Sequence, residues 1–151
     1  MKKFISILFM IFTTTFSFGA CTNDQIDVLD DGTNCVDTKF TLTTSETNRF
    51  EFYISAAGTF YVDCGDGGNL SGTGASDKTI VRNDTTGVIY VCSWDNSDNT
   101  RTIRFAGQST GYSTGYSDSS STIRFYTTNE NSQKVTGISG SLGAIFGTVD
   151  N

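Results

Sequence analysis

Period-two alternation constrains this chain more than any other feature. In the run Arg49 to Ser55, Phe50, Phe52 and Ile54 fall on one side and Glu51, Tyr53 and Ser55 on the other. Phe60, Val62 and Cys64 share a side of the next run, and Val88, Tyr90, Cys92 and Trp94 share a side of a third. The tetrapeptide TIRF occurs at Thr102 and Thr122, each time setting Ile and Phe inward and Arg104 or Arg124 outward. KFTLTT and KVTGISG make weaker strands at either end. After the first twenty residues nothing sustains the 3.6-residue period of an amphipathic helix. Clusters of Ser, Gly, Asn and Asp separate the runs at short intervals, and with no proline in the chain glycine must make most turns. The pattern predicts an all-β, antiparallel β-sandwich. Gly107 to Ser121, with two GYS units, reads as a long exposed loop or irregular hairpin. Lys78, Arg82, Arg101, Arg104 and Arg124 read as outward charges of a solvated face or guards of sheet edges.

Residues 1–20 have the form of a signal peptide: Lys2 and Lys3, an apolar run from Phe4 to Phe12, then small and hydroxylated residues up to Ala20. The apolar run is too short to cross a bilayer as a helix, which takes about 20 residues, so export without a transmembrane helix is expected. The location would be periplasmic, secreted or cell-surface. Phe18-Gly19-Ala20-Cys21 also loosely resembles a lipobox, which would place a lipid anchor at Cys21, although Phe18 stands where leucine is usual. Of 151 residues, 20 in the leader leave about 131, enough for one domain. The net charge of −6 becomes −8 once Lys2 and Lys3 are removed, and no basic cluster remains. Nucleic acid and anionic lipid surfaces are held mainly through Lys and Arg, so neither is an expected partner.

Cys21, Cys35, Cys64 and Cys92 are expected to pair in an exported chain. Four cysteines allow three pairings. Cys21–Cys35 and Cys64–Cys92 are preferred because sequence neighbours meet more easily and the second bridge would join two strands. On this reading residues 21–37 are a disulfide-tethered segment and 38–151 the sandwich. No CxxC spacing supports a four-cysteine zinc site.

The chain contains no histidine, which removes Ser-His-Asp triads, Cys-His dyads and HExxH zinc sites. The stretch that looks most like a site is YVDCGDGGNLSG, Tyr61 to Gly72. Its commoner reading is a strand ending in an Asp-Gly turn, with Asp66 capping its own backbone amides. A sharper reading is a calcium site from Asp63, Asp66 and Asn69, whose oxygens suit Ca²⁺ but whose spacing lacks the EF-hand order. A carboxylate pair for hydrolysis, Asp63 with Asp66, has no pattern defining a cleft between them. No cofactor is otherwise expected, and no catalytic residue is assigned. Trp94, near Asp95, Asp98 and Asn99, would stack on a sugar ring if exposed or cover a disulfide if buried. Tyr112 and Tyr116 in a Gly/Ser segment suit a recognition surface.

Two resemblances widen this. FEFYISAAGTFYVDCGDGG, followed by GVIYVCSWDNSDNTRTIRFAG, resembles the polycystic-kidney-disease (PKD) type of immunoglobulin-like domain, with Cys64 where a tryptophan usually precedes Gly-Asp-Gly. The order of leader, FEFYISAAGTFYVDCGDG, TIRFAGQSTGYSTG, STIRFY and QKVTGISGSLGAIF resembles the N-terminal region of BspA-type bacterial surface proteins, which carry 26-residue leucine-rich repeats. The repeats are not within these residues, so their adhesive role is not carried over with them. The expected function is a non-catalytic, adhesin-like interaction module that meets a protein or glycan at a cell surface. The alternative is a carbohydrate-binding module, with or without calcium.

Overall fold

The computed structural model describes residues 20–45, 48–95, 100–112, 122–125 and 135–147. Its strands are β1 (Gln25–Asp27), β2 (Cys35–Asp37), β3 (Phe40–Thr44), β4 (Arg49–Ile54), β5 (Ala56–Asp63), β6 (Asn69–Ser71), β7 (Ala75–Ser76), β8 (Thr79–Arg82), β9 (Val88–Ser93), β10 (Arg101–Tyr112), β11 (Ile123–Arg124) and β12 (Val135–Gly140). A single turn of helix, α1 (Gly143–Phe146), follows. A six-stranded layer runs β12-β3-β10-β5-β8-β7 and a four-stranded layer β11-β4-β9-β6, every pairing antiparallel. The all-β expectation therefore holds. Among the described residues no helix is long and apolar enough to cross a membrane.

The alternation read from sequence is the alternation observed. Phe50, Phe52 and Ile54 of β4, Phe60 and Val62 of β5, Tyr90 and Cys92 of β9, and Ile103 and Phe105 of β10 are all buried in one core between the layers. Each such side chain contributes roughly 1.5–3 kcal/mol by leaving water. Their rings meet edge-to-face or offset: Phe52 lies 5.3 Å from Phe105 in a T-shaped pair and 5.7 Å from Tyr90. Ile145 and Phe146 of α1 complete the core, with Phe146 stacked 5.3 Å from Phe60.

Both disulfides are formed in the preferred pairing. Cys64 directly follows β5 in the larger layer and Cys92 lies in β9 of the smaller, so this bridge crosses the core and ties the layers together. Cys21–Cys35 instead closes the N-terminal segment, where β1 and β2 pair as a separate ladder. Ile26 and Val28 of this segment bury against Ala106, with Val36 and Tyr61 beside them. A second small core thus forms on the outer face of the six-stranded layer.

Three expectations need correction. Gly107 to Tyr112 is strand rather than loop, because it continues β10 and pairs with Ala56 to Phe60 across a register shift between Ser109 and Gly111. Residues 113–121 lie outside the described residues. Arg101 and Arg82 do not point outward: Arg101 shares its face with Ile103 and Phe105, and Arg82 shares its face with Ile80, so both are buried. Arg82 is reconciled with burial by its acceptors. Its Nε donates to the Ala56 carbonyl at 2.8 Å, one amino group to the Tyr90 hydroxyl at 3.1 Å, and the other to Asp84 at 3.1 Å and to the Thr86 carbonyl. The Tyr90 hydroxyl in turn donates to the Thr73 carbonyl at 2.9 Å.

Candidate functional site

The Asp-Gly stretch is a turn. Gly65, Asp66 and Gly67 follow one another at positive φ (63°, 48° and 72°), and the Gly68 N–H donates to the Gly65 carbonyl at 2.7 Å. The carboxylate that caps this turn is Asp63 rather than Asp66: it accepts from the Gly65 N–H at 3.0 Å. Trp94 is buried and its indole N–H donates to the carbonyls of Cys64 and Gly65 at 3.2 and 3.0 Å. A Cβ on Gly68 would overlap that indole nitrogen, and one on Gly65 would overlap the Thr102 carbonyl. Gly68→Ala is accordingly expected to lower stability by about 1–3 kcal/mol, the usual cost of overpacking. It should also shift the tryptophan emission to the red in the native state, which a fluorescence spectrum and a urea melt would check together.

The acids of this stretch do not converge. Residues three apart on a strand face opposite ways, so Arg101 and Arg104 leave β10 on opposite faces, and each faces a different aspartate. Arg104 pairs with Asp63 at 2.7 Å on the outer face. Fully buried Arg101 lies 5.2 Å from the centre of the Trp94 ring, with its guanidinium 3.9 Å from the half-exposed Asp66. Asn69 is exposed at the start of β6. Among the described residues no three acidic, cysteine or histidine side chains gather into a metal-binding group. The three residues considered for calcium thus have separate surroundings: Asp63 against Arg104, Asp66 near Arg101, and Asn69 exposed.

The outer face of the six-stranded layer holds what the sequence concealed. Besides Asp63, Arg104 donates to the carbonyls of Asn23 and Gln25 at 2.8 and 3.1 Å. Lys78 donates to the Asp27 carbonyl at 2.9 Å and pairs with Asp30. Both cations thus fasten the N-terminal segment across the sheet. The turn joining β1 and β2 is tied internally: hydrogen bonds from the backbone and then the hydroxyl of Thr33 hold the Asp31 carboxyl below its ordinary pKa. The sign is that of a depressed acid, so this contribution is complete above the ordinary carboxylate pKa and is lost as pH falls through the lowered one. Between this turn and the sheet lies an open cleft of about 420 Å³, floored by Val28, Val36 and Tyr61 and edged by Thr79 and Asn34. Among the described residues no charged side chain lines it.

The remaining sequence candidates fall as follows. Trp94 is committed to the interior and offers no free ring face, which corrects its exposed reading. Tyr112 ends β10 opposite Ala56, and its side chain, like Tyr116, Asp98, Asn99 and residues 1–19, lies outside the described residues. The Cys21 sulfur that a lipid anchor would need is bonded to Cys35. Arg101 was findable, since it stands two positions before Ile103 in an alternating run, and so was the outward position of Asp63 one residue after Val62. That Arg104 and Lys78 grip a segment some 50 to 80 residues earlier had no signal in the sequence. Comparison of the chain with protein families, curated proteins and solved structures gave no match.

Proposed function

We propose that this chain is an exported, non-catalytic interaction module, immunoglobulin- or PKD-like in kind and adhesin-like in use, of the sort that heads BspA-type surface proteins. One observation carries the non-catalytic part: both acids of the one active-site-like stretch face arginines that hold the scaffold, Asp63 with Arg104 and Asp66 with Arg101. Two disulfides fit a non-reducing compartment, which favours export. The immunoglobulin-like part is supported by a bridge between layers, a buried tryptophan against it, and Tyr90 two residues before Cys92 with its hydroxyl bonded back to the Thr73 carbonyl. Recognition would use Tyr112 and Tyr116, with a protein or glycan at a cell surface as the partner.

The carbohydrate-binding alternative is favoured by the uncharged cleft, where an aromatic floor and neutral hydrogen-bonding edges suit a sugar ring. A glycan array and a panel of surface-protein extracts, probed with the intact protein, separate the two readings. Binding of a protein partner is expected to fall by tenfold or more in the Tyr112→Ala/Tyr116→Ala variant, in line with loss of aromatic anchors, whereas glycan binding at the cleft is expected to fall with Tyr61→Ala. Asp63→Asn is expected to leave binding intact while loosening residues 23–37 in hydrogen exchange. Turnover of any substrate that Asp63→Asn abolishes would refute the non-catalytic reading.

A further inference from the structure

Among the described residues the two layers are unequal in width, and the inequality leaves one strand uncovered. β12 ends the six-stranded layer beside β3. The smaller layer reaches only as far as β11, after which Phe125 stacks 5.8 Å from Phe40 of β3. Ile138 of β12 stands directly opposite Leu42, on the same face. Leu42 is fully buried, whereas Ile138 is 63% exposed. β12 therefore overhangs the layer that would otherwise cover it.

Its backbone faces outward at the same place. The Ser141 N–H donates to the Lys39 carbonyl at 2.9 Å, which sets the alternation along the strand. With Ser141 and Ser139 turned toward β3, Ile138 turns its N–H and C=O toward the free edge. Among the described residues the other edges of the two layers, β7, β11 and β6, are two or three residues long. β12 has six residues, none of them charged, and so lacks the lysines and prolines by which edges are usually protected. The register shift between Val135 and Gly137, and the positive φ of Gly140 (82°), leave Gly137 to Ser139 as its regular part.

We propose that a second copy of this chain occupies this edge, the two β12 strands pairing antiparallel across a twofold axis beside Ile138. In that arrangement the N–H and C=O of Ile138 meet their counterparts in the other copy. The two overhanging Ile138 side chains become cross-strand neighbours and shield each other from water. Charge favours this seam for self-association: a chain of net charge −6 repels its copies, but neither β12 nor its neighbour β3 carries a charge to oppose another. A seam this short falls well below the roughly 1,200 Å² of a stable interface. The dimer is therefore weak, fills only at high concentration, and tightens as salt screens the acidic bodies. This inference does not depend on the binding role proposed above.

Sedimentation equilibrium of the intact protein, from micromolar to millimolar concentration and at low and high salt, tests it. The average mass is expected to rise toward that of a dimer, more so at high salt. Ile138→Lys, which sets like charges together at the axis, is expected to weaken association by about tenfold or more. Val81→Lys, at a comparably exposed apolar residue on β8, is expected to leave it unchanged. Both positions are exposed, so circular dichroism should show both variants folded. A monomeric mass under every condition, undiminished association in Ile138→Lys, or an equal loss in Val81→Lys would overturn the proposal.

Discussion

Replacing Cys64 and Cys92 together by alanine is expected to cost about 3.5 kcal/mol through loop closure alone, because the bridge spans 28 residues of sequence. Lost packing of two buried sulfurs against Trp94 and Tyr90 adds to this. Against a typical stability of about 5–15 kcal/mol for a domain, that is a large fraction, and a thermal melt should drop by roughly 10–20 °C. Double replacement is the right variant, since a single one leaves a reactive thiol. The Cys21→Ala/Cys35→Ala pair makes the informative contrast. That bridge closes a shorter loop, 14 residues, and lies outside the core between the layers. Its loss should raise hydrogen exchange in residues 23–37 while the core strands stay protected. Equal damage from the two double variants would mean that the N-terminal segment and the sandwich form one cooperative unit.

Arg101→Ala is expected to destabilise by about 3–5 kcal/mol, while Asp66→Asn should cost under about 1 kcal/mol, as measured by urea denaturation. The asymmetry follows from burial. Arg101 is the largest fully buried side chain among the described residues, and truncating it leaves a cavity under Trp94 and removes the cation above its ring. Asp66 is 54% exposed at the side chain and 3.9 Å from its partner, so water screens that pair and replaces it at little cost. Similar losses from both substitutions would show that the ion pair, rather than the packing of the guanidinium, is what holds the Gly65–Gly68 turn.

Along this chain, what could be read in advance was whatever depends on near neighbours. The alternation of β4, β5, β9 and the first half of β10 is a local property, because successive side chains of an extended backbone point to opposite faces. The same rule, applied without regard to charge, would have put Arg101 beside Ile103 in the interior. The Gly65–Gly68 turn was equally legible, since glycine tolerates the positive φ that its geometry demands.

Strand partners belong to the tertiary structure alone. Gly107 to Tyr112 looks like loop by composition and becomes strand only because residues 56 to 60 supply its hydrogen bonds. The same holds for β3 lying between β10 and β12, and for Arg104 reaching back to Asn23. A contact between residues far apart in sequence is favoured only after the chain entropy of bringing them together has been offset by the whole core. No local window of residues carries that information. The sequence by itself therefore determined the alternating strands β4, β5, β9 and the start of β10 and the turn, and favoured the pairing of cysteines close along the chain, while the packed layers alone decided the remaining strands, which charges became fasteners and which edge was left bare among the described residues.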